Sequence, residues 1–439
     1  MDRWRMIRVP GDKSITHRAL ILSAVATGRS RLRGLLSGED CQSTASALRA
    51  LGAGIPELPD DGSETVVDGV GLAGLQTPAS VLDCGNSGTT VRLLLGLLSG
   101  IRLEALLTGD KSLRARPMRR VTGPLGELGA SFWESGAPDR LPVRVRGRKL
   151  RSARYRSPVA SAQVKSALLL AGLTGGAEVT VVEPTRSRDH TERMLKRMGA
   201  AVREAVTKEG WEVSLGPPPV ELEPLDLRVP GDFSSAAFLV AFALLGGVHT
   251  ALKIPNVGLN PTRTGLLDVL ESMGARIEVE NLREVDDPRG EPAGDLVVSP
   301  SELRGTSVSG HQIPLLIDEV PVLAAVAARA DGVTEIRDAE ELRYKESDRI
   351  RALAENLAGI GVQATELPDG LRIVGGEATL GGEVHARHDH RIAMAFGVLG
   401  ALHGNRISLD DRAVTDVSFP GFWGLLSDLR HGSGAVTDR

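Results

Sequence analysis

The 439-residue sequence has little of what marks several protein classes. Aromatic residues make up only 3%, with Trp 4, Tyr 2 and Phe 7. That is too few for a stacking platform on single-stranded nucleic acid. The two cysteines, Cys41 and Cys84, can build neither a disulfide framework nor a four-thiolate zinc site, and a reducing cytoplasm is the expected compartment. Neither sign of charge dominates: Lys+Arg 52 against Asp+Glu 56 leaves −4, so bulk polyanion binding is not favoured. The longest apolar runs, such as Phe238–Leu245, fall well short of the ~20 residues of a membrane helix. The start, Met1-Asp-Arg-Trp-Arg-Met6, has no apolar stretch of signal-peptide type. What remains is ordinary globular composition, 41% hydrophobic and 25% charged, with length for two or three domains at roughly 100–200 residues each.

Internal repetition is the most informative feature present. Val-Pro-Gly-Asp-Lys-Ser at Val9–Ser14 recurs half a chain later as Val-Pro-Gly-Asp-Phe-Ser at Val229–Ser234. An Ala/Leu-rich segment appears in six copies, beginning at Ser14, Thr89, Ser161, Ser234, Asp318 and Asp389 and ending near Gly28, Gly100, Gly175, Gly246, Gly332 and Gly404. Each reads as a helix of three or four turns, apolar nearly all round and therefore buried. Ser, Thr or Asp supplies the N-cap oxygen and Gly the left-handed end. A β-branched stretch follows each copy, then an amphipathic helix that mostly closes on a signal such as Leu51-Gly-Ala53, Leu128-Gly-Ala130, Met198-Gly-Ala200, Met273-Gly-Ala275 or Ile360-Gly-Val362.

A spacing of roughly 70–87 residues is too long for a solenoid repeat and suits a β-α-β-α-β-β unit used six times. The expected fold class is α/β, with two similar domains of three units each. The first would span 13–231 and the second 1–12 plus 232–439, with the half-chain motif at the crossovers. Paired linkers imply a hinge and an inter-domain cleft.

Polar motifs fall at the mouths of the apolar helices. Lys13-Ser-Ile-Thr-His-Arg18 opens the first, where free N–H groups and the positive dipole end favour an anion. Asp83-Cys-Gly-Asn-Ser-Gly-Thr-Thr-Val-Arg92 opens the second, and Gly85 and Gly88 would let backbone approach a ligand; a plain capped turn is the bland alternative. Leu113–Arg120 gathers four arginines around Pro117, suited to phosphate or carboxylate, or to a solvated turn. Ser161-Ala-Gln-Val-Lys165 and Arg186-Ser-Arg-Asp-His190 can supply donors to a polar ligand. Asp318-Glu319 opens the fifth helix, and Lys345, Glu346 and Arg349 read as one helical turn carrying a possible acid/base carboxylate or a common surface ion pair.

Two tempting motifs are set aside. Gly69-Val-Gly-Leu-Ala-Gly74 has dinucleotide-type spacing, but Thr77-Pro78 follows where a helix should open. His385 and His388-Asp-His-Arg391 suggest a metal, but histidines of an alternating strand would point apart, and Arg391 reads better as an anion clamp. The arginine-rich stretch 139–156 reads as a strand with one solvated face rather than a nucleic-acid arm. Small anionic substrates and acid/base chemistry are the inference from residues alone.

Taken together and in order, Pro10-Gly-Asp-Lys-Ser-Ile-Thr-His-Arg18, Gly85-Asn-Ser-Gly-Thr89, Arg116-Pro117, Ser161-Ala-Gln163, Leu342-Arg-Tyr-Lys-Glu-Ser-Asp-Arg349 and Asp389-His-Arg391 resemble the 5-enolpyruvylshikimate-3-phosphate (EPSP) synthase family. The resemblance runs from about Arg8 to Phe422 and extends to a divergent bacterial branch. It implies two domains of three β-α-β-α-β-β units. It also implies transfer of the enolpyruvyl group of phosphoenolpyruvate to the 5-hydroxyl of shikimate 3-phosphate, with release of phosphate, on the route to chorismate and aromatic amino acids. No metal or organic cofactor is implied, and a cytoplasmic monomer is expected, with no nucleic-acid or membrane partner.

By the same resemblance, Lys13, Ser14, Arg18, Ser161, Ala162, Gln163, Arg188, Asp318 and Lys345 would hold shikimate 3-phosphate. Lys13, Gly88, Arg116, Gln163, Arg349 and Arg391 would hold phosphoenolpyruvate. Asp318 would take the hydroxyl proton, Glu346 would protonate the methylene carbon, and Lys13 would share proton transfer or steady the adduct. Two departures stand out. Val417 occupies a position where many members carry Lys, and no tyrosine of the usual acceptor site lies near 186–190. Members of the divergent branch that tolerate glyphosate carry Ala at the Gly88 position, so glyphosate sensitivity is expected here. The rivals are UDP-N-acetylglucosamine enolpyruvyl transferase, which normally has a reactive Cys (sometimes Asp) in the loop matching Ser112–Arg119, a non-catalytic anion-binding relative, and an RNA-end-processing protein built on similar units.

Overall fold

The computed structural model of the chain describes residues 4–284, 287 and 289–431. The chain forms two compact units: Gly11–Val229 with Val285–Glu291, and Met1–Pro10 with Pro230–Glu284 and Pro292–Arg439. The chain passes between units within each Val-Pro-Gly-Asp motif, between Pro10 and Gly11 in the first and between Val229 and Pro230 in the second.

That repeated motif has a steric reason. A Cβ on Gly11 would lie 1.8 Å from the Gly34 carbonyl oxygen, and one on Gly231 would lie 2.7 Å from Val9 Cγ2. The following aspartate then caps the buried helix. Asp12 accepts from the Ile15 N–H at 2.9 Å and Asp232 from the Ser234 N–H at 2.7 Å. The sequence expectation placed these starts at Ser14 and Ser234, and the second helix start at Thr89; the caps are Asp12, Asp232 and Ser87. The earlier residue wins because its oxygen reaches an otherwise unsatisfied N–H of the first turn.

Among the described residues each unit carries three sheets around its own apolar core. In the first unit the central helices are Lys13–Ala24, Gly88–Ser99 and Ala162–Gly175. In the second they are Phe233–Leu244, Val320–Ala327 and His390–Ala401. They pack closely: a Cβ on Gly96 would fall 2.3 Å from the Ala167 carbonyl oxygen. Val320–Ala327 is shorter than the three or four turns expected, because Pro321 lacks an N–H and is tolerated only in a first turn.

The full repeat is seen in 153–215, where Ala153–Arg156 pairs parallel with Val179–Glu183, which pairs antiparallel with Gly210–Leu215. The two half-chains exchange their first strands. Trp4–Met6 pairs with Ala251–Gly258 in the second unit, and Asp226–Arg228 pairs with Thr27–Arg33 in the first. The sixth copy has two strands, Gly381–Val384 and Arg406–Leu409.

Five amphipathic helices end alike. Gly52, Gly129, Gly199, Gly274 and Gly361 all have positive φ. In each case the residue after the glycine donates back to a carbonyl five residues earlier, as Ala53 N–H does to Leu48 O and Val362 N–H to Leu357 O. This is the Schellman arrangement, which glycine enters without strain.

That geometry sets a paired test. Gly361 has φ +96° with nothing near its would-be Cβ, whereas Gly359 lies inside the helix Arg349–Gly359. Gly361→Ala should lower stability by about 1–2 kcal/mol, while Gly359→Ala should be neutral or raise it by about 0.5–1 kcal/mol. Urea midpoints check this; the reverse order would contradict the left-handed assignment.

Candidate active site

The expected site residues sit at helix mouths within each unit. In the first unit, Lys13 and Ser14 open the helix Lys13–Ala24, Gly88 opens Gly88–Ser99, and Ser161 caps Ala162–Gly175. The Lys13 ammonium forms a close ion pair with Asp40, which is buried near the start of the helix Glu39–Ala50. Arg18, one turn further in, donates Nε to Thr191 Oγ1 at 2.8 Å, Nη2 to Ser166 Oγ at 3.0 Å and Nη1 to the Ser14 carbonyl at 3.0 Å. Burial lowers its pKa to about 10, with Glu192 opposing the shift and nearby Arg188 adding to it. It remains a cation at neutral pH. Arg188 is half-buried in the loop between the strand Val179–Glu183 and the helix His190–Arg197.

A second cluster surrounds Gln163. Its Oε1 accepts from Arg92 Nη1 at 2.8 Å and Arg120 Nη2 at 3.0 Å, and its Nε2 donates to Thr89 Oγ1 at 3.0 Å. Arg116 donates to Asn86 Oδ1 at 2.6 Å. A Cβ on Gly88 would meet Arg92 Nη1 at 2.8 Å and Arg116 Nη1 at 3.2 Å, so this mouth is crowded by two guanidiniums. Sequence reading quoted Arg92 and Arg120 inside their motifs without singling them out; the cue was their place beside Gly88 and Arg116. Lys165, quoted with the third mouth as a donor to a ligand, instead has no exposed side-chain surface.

In the second unit the predicted residues converge on Arg349. This side chain is buried, with Nε 2.8 Å from Asp389 Oδ2, Nη2 2.5 Å from Glu346 Oε2 and Nη1 3.5 Å from Asp318 Oδ1. Burial alone would lower its pKa, but Asp389, Glu346 and Asp318 outweigh it and raise the pKa. Lys345 Nζ lies 3.6 Å from Asp318 Oδ1 and 3.3 Å from Glu341. Arg391 donates to the Asp318 carbonyl at 2.9 Å.

Two local readings are corrected and a third is extended. Lys345 and Glu346 precede the helix rather than share a turn with Arg349, because Asp348 caps it by accepting from Arg351 N–H at 3.1 Å. His385 and His388 lie beyond the strand Gly381–Val384, in a turn where Arg387 and His388 have positive φ, and they face Asp410 and Asp411 respectively. Asp389, read as a helix cap, also holds Arg349 and accepts from Ser347 Oγ at 3.0 Å. Val417 ends the short 3-10 turn Ala413–Val417.

A family model described as EPSP synthase (3-phosphoshikimate 1-carboxyvinyltransferase) matches residues 5–426. The chain is 48% identical over 427 residues to 3-phosphoshikimate 1-carboxyvinyltransferase of Synechococcus sp., covering 97% of this chain and 96% of that one. It is 47% identical over 417 residues to the protein of that name from Alkaliphilus metalliredigens, covering 94% of each. Its structure is similar to that of EPSP synthase from Acinetobacter baumannii, with TM-score 0.81 and 40% identity, covering 98% of this chain and 95% of the other. The enolpyruvyl transferase NikO from Streptomyces tendae has the same fold at TM-score 0.74 and 19% identity, covering 98% of this chain and 95% of the other.

One buried group ties this site to pH. His17 is fully buried between Lys13 and Arg18, with Nδ1 2.7 Å from Thr44 Oγ1, and Thr44 is 2.6 Å from Thr90. Burial first, then the two cations, hold its pKa well below 6.5. Below about pH 6.5 the unfolded chain therefore takes up a proton that the folded chain refuses, and stability falls as pH falls. Between about pH 7 and 5.5, wild type should lose stability more steeply than His17→Asn, by up to about 1.4 kcal/mol per pH unit. Equal slopes in urea titrations would contradict it.

Proposed function

The chain belongs to the EPSP synthase (3-phosphoshikimate 1-carboxyvinyltransferase) family and transfers the enolpyruvyl group of phosphoenolpyruvate to shikimate 3-phosphate in the shikimate pathway; from that premise we propose which of its residues do the work. Among the described residues no helix is long and apolar enough to cross a membrane. A cytoplasmic monomer is part of the proposal.

By family resemblance, Lys13, Ser14, Arg18, Ser161, Ala162, Gln163, Arg188, Asp318 and Lys345 hold shikimate 3-phosphate. Lys13, Gly88, Arg116, Gln163, Arg349 and Arg391 hold phosphoenolpyruvate. Cations at helix mouths suit two substrates that each carry a phosphate and a carboxylate. Asp318 takes the proton of the 5-hydroxyl as its oxygen attacks C2 of phosphoenolpyruvate. Glu346 gives a proton to the C3 methylene, which becomes a methyl group. The C2–O bond to phosphate then breaks, the methyl returns a proton, and the enol double bond re-forms. Lys13 steadies charge on the tetrahedral adduct.

The observation that carries this reading is the convergence on Arg349 of two carboxylates, Asp318 and Glu346, each held by a cation. Their protons can be moved while the guanidinium keeps both groups oriented. Asp318 and Glu346 therefore have separate roles on one support.

Two outcomes follow. Glu346→Gln should cut turnover by about 10²–10⁴-fold in a phosphate-release assay while keeping affinity for shikimate 3-phosphate; full turnover would remove Glu346 from the chemistry. Wild type should be inhibited by glyphosate, and Gly88→Ala, by pushing Arg92 and Arg116 aside, should raise both the KM for phosphoenolpyruvate and the inhibitor concentration required. Turnover unaffected by millimolar glyphosate in wild type would contradict this.

A further inference from the structure

One cluster in the first unit is buried as completely as the apolar core, yet the reaction makes no use of it. Lys165 Nζ lies 2.9 Å from Glu183 Oε2 and 2.9 Å from Glu192 Oε1, and all three side chains are fully buried. It also donates to the Ser187 carbonyl at 3.2 Å. Burial works against the ammonium, but Glu192 and Glu183 outweigh it and raise its pKa. As a source of stability such a group is inefficient, because desolvation offsets much of the attraction.

Its connections suggest a different role. Glu183 ends the strand Val179–Glu183. Its carboxylate accepts from the Ser161 N–H at 2.8 Å, from Ser187 Oγ at 2.8 Å and from the Ser187 N–H at 3.4 Å. Ser161 begins one acceptor-binding segment and Ser187 directly precedes Arg188 in another. Beside this, Ser166 and Thr191, the neighbours of Lys165 and Glu192, bond each other at 2.7 Å and both receive Arg18. Two carboxylates face one ammonium, and burial raises the pKa of Glu192 against the pull of Lys165. Glu192 lies near enough to Arg18 to favour its charge, offsetting the repulsion from Arg188.

We propose that Lys165 and Glu183 are positioning residues for shikimate 3-phosphate: the ammonium fixes the carboxylate, and the carboxylate holds the Ser161 mouth and the Ser187–Arg188 loop at the spacing the anionic acceptor requires. This rests on the reading of Ser161, Gln163 and Arg188 as acceptor contacts. Phosphoenolpyruvate shares Lys13 and Gln163 with the acceptor but is also held at Gly88, Arg116, Arg349 and Arg391, outside the Ser187–Arg188 loop, so its binding responds less.

The test measures the dissociation constant of shikimate 3-phosphate alone, together with kcat and the KM for phosphoenolpyruvate, in four proteins: wild type, Glu183→Gln, Ser187→Ala and Ser187→Thr. Ser187→Ala removes one bond to a charged group and should fold normally even if Glu183→Gln does not. Both should weaken acceptor binding by about tenfold or more, raise the KM for phosphoenolpyruvate by clearly less, and Ser187→Thr should restore affinity. Wild-type affinity in Ser187→Ala, or equal losses for both substrates, would overturn the positioning role alone. Wild type that binds no shikimate 3-phosphate would overturn the functional reading and the proposal with it.

Discussion

A helix that is apolar and buried on every face has only its ends left for polar work, and this chain is built around six such helices. Their first turns carry unsatisfied N–H groups and the positive end of the dipole. Capping side chains satisfy some of those donors, as Asp12, Ser87 and Asp389 do. The residues that follow are drawn to the same ends. Lys13, Gly88 and Gln163 sit in the first turns of the first unit's helices, and Arg391 in the first turn of a helix in the second. The repeat therefore supplies the same chemical opening several times, and the openings differ in which side chains decorate them.

Cations at these openings are matched by carboxylates within the protein: Lys13 with Asp40, and Arg349 with Asp389, Glu346 and Asp318. Matching keeps buried charge tolerable, since an unpaired buried ion would cost several kcal/mol. It also orients the guanidinium and ammonium groups, so that their remaining donors are aimed before a ligand arrives. The carboxylates are supports for cations, and in the proposed mechanism Asp318 and Glu346 are proton carriers as well.

Most of the fold was legible in the sequence because it rests on local rules. The apolar segments, the left-handed glycines such as Gly199 and Gly274, and the Val-Pro-Gly-Asp repeat each have a short-range cause. The caps fell two residues early because two oxygens compete for one turn, and spacing alone does not say which reaches the N–H. The loop at Lys345–Asp348 was misread as helix because the partner that holds Arg349 in place, Asp389, lies 40 residues away in sequence. The Lys165 cluster was invisible for the same reason. Glu183 and Glu192 come from a strand and another helix, and a lysine near a helix mouth reads as a donor to a ligand when its partners are unknown. The proposed site comes residue by residue from family resemblance alone; composition and spacing reached small anions and acid/base chemistry and stopped there.

In the proposed function these helix mouths select one anionic acceptor for phosphoenolpyruvate. Phosphate release from phosphoenolpyruvate tests it directly, with shikimate 3-phosphate and UDP-N-acetylglucosamine offered separately as acceptors. Release with shikimate 3-phosphate alone is the predicted result. Release with only the nucleotide sugar, or with neither, would contradict it.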